Sequence, residues 1–429
     1  MRDAPGLRRE IGVRRLTAGA INSTIGAGIF VLPAAVAADL GAAAPLAYLV
    51  CGGMMALIVT CFAAAGSRVS LTGGLYAYVE TAFGPFVGFL AGVLYSLSAS
   101  MAVAGVASAF VDSLAAIWPA AGQTPVRAAV LTLLFAGLAA VNVRGVTPGA
   151  RLVEAVTLAK LIPLGVLIGA GVWFVQPAHL VGEMAPPAAA LGRTAIVLIF
   201  AFVGVEVALV PSGEVSHPAR TVPRALFTAL AVTTAIYLAI QAVALGILGP
   251  AMGDYPSAPL AEAMARIAGP GGRVFVLAGA MVSMFGYVAG DMLGSPRALF
   301  ALARDRMLPS ALARVHPSFH TPHLAIVTYA AFVAAVALSG RFTELAIMAN
   351  VATLTLYLLC VLAAYQLQRL NVRADGMPFA LPGGPLIPLV ATGAIVWLMS
   401  QATLRELSVE AVVLASAALV YLARRRVSR

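Results

Sequence analysis

Apolar runs of roughly 20 residues recur along the whole of this 429-residue chain. As a helix, a run of that length crosses a hydrocarbon layer about 30 Å thick. We therefore predict an all-α polytopic membrane protein with 12 transmembrane helices. Their approximate bounds are 13–38, 42–66, 84–111, 128–143, 152–175, 193–213, 223–249, 273–296, 324–340, 343–366, 386–404 and 408–423.

Composition excludes a soluble core, because 61% of the residues are hydrophobic and only 10% are charged. The chain begins with the polar, basic segment MRDAPGLRREIGVRR, and no cleavage-site pattern follows the first apolar run. We therefore expect no removable signal peptide. The cysteines Cys51, Cys61 and Cys360 all fall inside apolar runs, which argues against a disulfide framework.

The net charge of +10 is explained by the sides of the membrane on which the arginines fall. With the N-terminus inside, 20 arginines lie in cytoplasmic segments and 6 lie on the opposite side. This positive-inside bias predicts a multi-pass protein of the cytoplasmic (inner) membrane with both termini in the cytoplasm. It also favours an even number of helices and makes a nucleic-acid partner unnecessary.

Three charged residues lie deep inside predicted spans. Lys160, the single lysine of the chain, falls near the middle of helix 5, Glu206 in the middle of helix 6 and Asp291 in helix 8. Charges at such depth are costly and mark ion or substrate paths. Structural explanations stay open at this point: a snorkelling lysine, an aspartate facing the interface, or a glutamate serving only as a hydrogen-bonding group.

Helices 1 and 6 carry signs of interruption. Ser23, Thr24, Gly26 and Gly28 cluster where helix 1 should be most apolar, and Gly204 lies at the centre of helix 6. A broken helix at membrane depth is tolerated only where its backbone faces protein or a wet cavity. Close packing through small residues is the alternative explanation of such clusters.

The spans divide into two similar halves. Residues 13–175 hold five spans and residues 193–366 hold five more, and an odd number of spans inverts the second half relative to the first. Paired interruptions in the first helix of each inverted half indicate a transporter site at the midplane. Helices 11 and 12, in 386–423, lie outside this repeat. Residues 1–12 form a cytoplasmic N-terminal segment and 424–429 a basic tail.

An interrupted pair of this kind suits a zwitterion. The N–H groups of Gly26, Ala27 and Gly28 would face a carboxylate at the start of a half-helix. Carbonyls around Ala201 and Phe202 would face an ammonium, so no charged side chain is required. The pocket-wall candidates are mostly apolar and neutral. They are Phe200, Ser98, Met101, Met284 and Asn350.

Four segments resemble the amino acid-polyamine-organocation (APC) transporters, in the order expected and over about residues 8–366. They are GAINSTIGAGIFVLP, LTGGLYAYVETAFGPFVGFLAG, FAFVGVEVALVPSGEVSHPARTVPRAL and SPRALFALARDRMLP. The resemblance implies the LeuT-like fold, a five-plus-five inverted repeat with discontinuous helices 1 and 6. It also implies that the break at Gly26 to Gly28 binds the substrate carboxylate, that carbonyls near Phe200 to Val203 receive the amine, and that Phe200 is an aromatic gate.

Lys160 matches a lysine that sodium-independent members of the family carry where sodium-coupled relatives of the same fold bind a cation. The resemblance therefore implies proton coupling or exchange. The predicted coupling residues are Lys160, Glu206, Asp291 and Ser283. The predicted substrate-binding residues are Ser23, Thr24, Ile25, Gly26, Ala27, Gly28, Ser98, Met101, Phe200, Ala201, Phe202, Val203, Val205, Met284 and Asn350.

The expected mechanism is alternating access, with helices 1, 2, 6 and 7 rocking against helices 3, 4, 8 and 9. Protonated Lys160 would donate to carbonyls of helix 1 around Gly19 to Asn22, and to Ser283 or Asp291. Loss of that proton would weaken the tie and release the inner gate.

We thus predict a secondary transporter of amino acids, favouring neutral or apolar L-amino acids, with protons as a partner and the bilayer as its environment. An exchanger or exporter of cationic amino acids or polyamines is the alternative within transporters. A substrate-sensing receptor or a channel on the same scaffold is the alternative from another class. No sequence motif indicates an enzyme, a cofactor or a metal site, and the sequence does not reveal the oligomeric state.

Overall fold

The computed structural model describes residues 11–69, 71, 73–145, 160–182, 186–210, 212–304, 308–373 and 377–427. Four predicted pieces lie outside these residues: 1–10 of the N-terminal segment, 152–159 of helix 5, 211 of helix 6, and 428–429 of the tail. The α-helices of the described part are α1 Val13–Thr24, α2 Gly28–Leu40, α3 Ala44–Gly66, α4 Leu75–Phe83, α5 Pro85–Ala115, α6 Thr124–Arg144, α7 Leu161–Gly171, α8 Ala188–Leu198, α9 Pro218–Leu248, α10 Pro259–Arg304, α11 His323–Ser339, α12 Phe342–Arg369, α13 Leu386–Met399 and α14 Leu404–Val427.

Within the described ranges, 7 helical stretches are long and apolar enough to cross a membrane. They are Gly28–Gly66, Pro85–Ala115, Thr124–Arg144, Pro218–Asp254, Pro259–Arg297, Phe342–Arg369 and Leu404–Ala423. Shorter apolar helices occupy Leu161–Phe174, Ala188–Ala201, His323–Ser339 and Leu386–Met399. The all-helical class of the prediction is therefore confirmed, whereas 12 crossings and the inverted repeat remain predictions.

Several predicted helices differ from the observed ones in their bounds, and helices 1 and 8 illustrate this. The run 13–38 is split into α1 and α2 by three residues that leave the helix. The run 273–296 lies inside the much longer α10, which is non-helical at Ala268 and Gly269. The positive φ of 65° at Gly269 and the proline that follows it explain this kink, since both residue types break a regular helix.

Helix α3 runs through the core, whereas α14 lies at the periphery. The large side chains Tyr48, Met55 and Phe62 of α3 are fully buried, and α9 and α12 pack alongside it. A Cβ atom at Gly52 would lie 2.9 Å from Thr234, so this glycine lets α3 and α9 approach closely. In contrast, only 6% of the most apolar stretch of α14, within Leu404–Ala423, is buried, so this helix faces outward.

The segment after α12 is fastened to the end of α3. Arg68 donates to the carbonyl oxygen of Val372 at 3.2 Å and to Oε1 of Gln368 at 3.4 Å. The same Oε1 accepts from the N–H of Leu381 at 3.1 Å. Burial and the positive charge of Arg373 lower the pKa of the Arg68 guanidinium. The hydrogen bonds offset part of the cost of keeping this cation out of water.

Replacing Arg68 with alanine is expected to lower the midpoint of thermal unfolding in detergent, because charge-assisted bonds contribute about 1.5–3 kcal/mol each. Arg373→Ala is the matched control, since it removes an equal charge from an exposed residue whose described bond is to nearby Asn371. Equal midpoints for the two variants would contradict a fastening role of Arg68.

Candidate functional site

The first interruption lies between α1 and α2, at Ile25 to Ala27. The N–H of Gly26 donates to the carbonyl oxygen of Thr24 at 2.9 Å, so it is already engaged. Of the three N–H groups predicted to face a carboxylate, those of Ala27 and Gly28 remain. They stand at the start of α2 and have no preceding helical turn with which to pair. The start of α2 therefore offers main-chain donors and the positive end of a helix dipole.

The second interruption follows α8. The chain tightens into a 3₁₀ turn at Ile199–Ala201, and Gly204 then adopts a left-handed conformation with φ of 117°. The carboxyl group of Glu206 reaches back over this break. Its Oε2 accepts from the N–H of Gly204 at 2.9 Å and from the hydroxyl of Tyr357 at 2.6 Å. Glu206 thus supports the strained glycine and links it to α12.

The two interruptions lie backbone against backbone. A Cβ atom on Gly28 would lie 2.9 Å from the Cα of Ala201, and one on Gly204 would lie 2.4 Å from the carbonyl oxygen of Ser23. Each break therefore presents a glycine to the main chain of the other. Side chains at these positions would force the two breaks apart, so the glycines are required by close approach as well as by conformation.

One tyrosine hydroxyl on α9 contacts both breaks. The hydroxyl of Tyr237 lies 3.0 Å from the carbonyl oxygen of Thr24, at the end of α1, and 2.7 Å from that of Ala201. The residue is fully buried, and its ring packs on Phe202 at 5.3 Å. Sequence reasoning missed Tyr237. The sequence does show a tyrosine inside an apolar helix, and a tyrosine hydroxyl in such surroundings needs a hydrogen-bond partner.

A small cavity of about 20 Å³ lies at the breaks. Nine of the predicted substrate-binding residues line it: Ser23, Thr24, Gly26, Ala27, Gly28, Ser98, Phe200, Val203 and Asn350. The space exceeds that of one water molecule only slightly, so this conformation is nearly closed. The ring of Phe200, the predicted gate, meets that of Phe342 edge to face at 5.4 Å.

Six predicted substrate-binding residues do not line this cavity. They are Ile25, Met101, Ala201, Phe202, Val205 and Met284. All are buried in packing contacts instead; Met284, for example, accepts a weak bond from Ser113 at 3.8 Å. The cavity also includes four residues that were not predicted: Ala102, Val106, Tyr287 and Ala349. The first two follow Ser98 at intervals of four on α5, a helical spacing that sequence reasoning did not use.

No described hydrogen bond joins any two of the four predicted coupling residues, Lys160, Glu206, Ser283 and Asp291. Lys160 is 7% exposed, and its Nζ donates to the carbonyl oxygen of Asn22 in α1 at 2.5 Å. Its predicted bonds to Ser283 and Asp291 are not formed. The Ser283 hydroxyl is buried without a hydrogen-bond partner in the described part of the chain. Asp291 accepts from Ser295 and from Tyr329 of α11, at 2.6 Å each.

Apolar membrane spans and two interrupted helices in contact around a cavity are features of a multi-pass membrane transporter. A family model described as amino acid permease matches residues 11–404. The chain belongs to the amino acid permease family, within the APC superfamily. The predicted family is therefore confirmed. The prediction that the chain is a transporter of a small molecule, and not an enzyme, is confirmed as well.

Three relatives illustrate the similarity. The serine/threonine exchanger SteT of Bacillus subtilis (strain 168) is 30% identical over 409 residues, which cover 90% of this chain and 89% of that protein. An uncharacterized transporter of Mycobacterium tuberculosis (strain ATCC 25618 / H37Rv) is 34% identical over 348 residues, with coverages of 78% and 75%. The methylthioribose transporter of Bacillus subtilis (strain 168) is 27% identical over 416 residues, with coverages of 92% and 88%.

Gly204→Ala is expected to reduce transport in proteoliposomes by at least about tenfold, because the left-handed conformation costs alanine about 1–3 kcal/mol and the new Cβ would strike Ser23. Gly53→Ala is the control, since a Cβ there meets nothing within 4 Å. Wild-type transport by Gly204→Ala would show that the two breaks do not need their observed contact.

Tyr237→Phe is expected to slow uptake by roughly tenfold, because two buried carbonyl oxygens lose their shared hydroxyl. Tyr48→Phe provides the comparison: its hydroxyl is also fully buried, yet it has no hydrogen-bond partner among the described residues. That second variant should match or exceed the wild type in thermal stability. Equal uptake rates for the two variants would remove the bridging role of Tyr237.

Proposed function

We propose that this protein carries small neutral L-amino acids across the cytoplasmic membrane by alternating access, without sodium, either coupled to protons or as an exchanger. The observation that carries the proposal is the contact between two helix interruptions, whose main-chain polar groups border a cavity with neutral walls. Backbone groups of opposite polarity are suited to the two ends of an amino acid.

The chemistry of the site supports a zwitterion. The amino acid carboxylate would accept from the N–H groups of Ala27 and Gly28, where the dipole of α2 favours negative charge. Its ammonium group would donate to main-chain carbonyl oxygens of the two residues after α8 that line the cavity, Phe200 and Val203. These interactions are made to groups common to all amino acids. The walls would then select the side chain.

The walls favour a small neutral side chain over a cationic one. Glu206 is the carboxylate nearest the break in sequence. It accepts hydrogen bonds from Gly204 and Tyr357 and does not line the cavity. A lysine-like or polyamine substrate would therefore find no carboxylate lining the cavity in this conformation. The similarity to a serine/threonine exchanger supports the same choice, because serine and threonine are small and neutral.

The proposed architecture follows the inverted repeat. Residues 13–175 and 193–366 would form the two five-helix halves, and 386–423 the two additional helices. With twelve crossings, residues 1–12 and 424–429 would both lie in the cytoplasm of a cell whose inner membrane holds the protein. The breaks after α1 and α8 would then occupy equivalent positions near the bilayer midplane.

Two polar ties are proposed to hold the cytoplasmic gate closed. Lys160 donates to the main-chain carbonyl oxygen of Asn22 near the end of α1. Just before α1, the N–H of Ile11 donates to the main-chain carbonyl oxygen of Glu214 at 3.0 Å. The N–H of Ser216 returns a bond to Ile11 at 3.0 Å. Inward opening would swing α1 away and break both ties. Lys160 would act as a built-in cation whose proton controls the first of them, with Glu206, Asp291 and Ser283 as the other proposed coupling residues.

The decisive experiment combines binding and flux. Purified protein is heated with a panel of amino acids and amines, and each compound that stabilises it is tested for counterflow in proteoliposomes. Stabilisation and counterflow by small neutral amino acids, in sodium-free buffer, are expected. Stabilisation without flux would favour a receptor, and counterflow restricted to lysine, arginine or polyamines would overturn the neutral substrate class.

Lys160→Ala and Lys160→Gln are expected to abolish the dependence of transport on pH, because neither side chain titrates. The glutamine variant keeps an N–H donor for Asn22 and should retain more of the transport rate than alanine. Uptake into vesicles across a pH series is the measurement. If either variant keeps the pH profile of the wild type, Lys160 is not the coupling group.

A further inference from the structure

Asn350 of α12 lines the cavity and is fully buried. Its Nδ2 donates to the carbonyl oxygen of Ile196 at 2.7 Å, in the last turn of α8. The last carbonyl groups of a helix commonly take partners from outside the helix. The amide nitrogen of Asn350 is therefore hydrogen-bonded to α8.

The bond to Ile196 also fixes which way the amide faces. A flipped amide would bring its oxygen against the carbonyl oxygen of Ile196, and two acceptors repel each other. The Oδ1 atom is consequently the end left over, and it has no hydrogen-bond partner in the described part of the chain. An unpaired buried acceptor is unfavourable, because it has lost its water partners without gaining a donor.

The serine and threonine hydroxyls around the cavity are already engaged. Ser23 donates to Gly19 at 2.9 Å and Thr24 to Ala20 at 2.8 Å, both within α1. Ser98 and Thr353 are hydrogen-bonded to each other, which joins α5 to α12. The unpaired oxygen of Asn350 therefore stands out as an acceptor held in place without a donor.

We propose that Oδ1 of Asn350 accepts a hydrogen bond from the substrate side chain and makes the carrier selective for hydroxyl-bearing amino acids such as serine and threonine. This inference rests on the proposed transport of small neutral amino acids and specifies their class. A hydroxyl donor satisfies the buried oxygen, whereas an apolar side chain of the same shape leaves it unpaired.

Isosteric substrate pairs test the proposal on the wild-type protein. Threonine and valine differ by a hydroxyl in place of a methyl group, as serine and 2-aminobutyrate do. Competition against radiolabelled alanine uptake in proteoliposomes should show threonine and serine at least about tenfold more potent than their partners. Equal potencies would overturn the role of Asn350 while leaving amino acid transport intact. Absence of alanine uptake together with absence of stabilisation by any amino acid would overturn the proposed function itself.

Variants then assign the preference to one residue. Asn350→Leu should bring the threonine-to-valine potency ratio close to one. Tyr287→Phe, which removes only the phenolic hydroxyl from a residue lining the same cavity, should keep the wild-type ratio. The ratio is an internal control, because a general loss of folding or gating lowers both potencies together. A preserved ratio in Asn350→Leu would mean that the amide only supports α8 or meets the ammonium group. Loss of the ratio in Tyr287→Phe alone would assign the hydroxyl contact to Tyr287.

Discussion

The structure depends on the satisfaction of main-chain polar groups where two helices stop inside an apolar protein. In such surroundings an unpaired N–H or C=O group costs several kcal/mol, so a break is tolerated only if protein or substrate supplies partners. Here the breaks meet each other, and the close approach at Gly28 and Gly204 leaves no room for side chains between them. Tyr237 then serves a carbonyl oxygen of each break.

Helix α12 provides the rigid support for this arrangement. Asn350 and Tyr357 are seven residues apart, a spacing of two helical turns that places them on one face. Asn350 binds the end of α8, and Tyr357 binds Glu206, which in turn holds Gly204. Thr353, between them in sequence, joins the helix to Ser98 of α5. A single helix therefore positions both the break after α8 and one wall of the cavity.

The glycine pattern predicted the interruptions because the conformational freedom of a glycine comes from its missing Cβ atom and does not depend on which helices pack together. The depth of Lys160 likewise followed from counting residues along a span. Other features depend on which helices become neighbours, which periodicity does not reveal. Tyr237 lies far in sequence from both carbonyl oxygens that it contacts, and Asp291 is paired with Tyr329 of α11. Met101 and Met284, predicted as apolar pocket walls, are buried in packing contacts and do not line the cavity.

The small volume of the central cavity has a consequence for the cell. A space of about 20 Å³ holds one or two waters, too few to keep an ion hydrated. A sodium or potassium ion entering it would lose most of its hydration shell without receiving a ring of ligands in return. The central cavity of this conformation therefore disfavours a bare cation, which opposes ion leakage by that route between transport cycles.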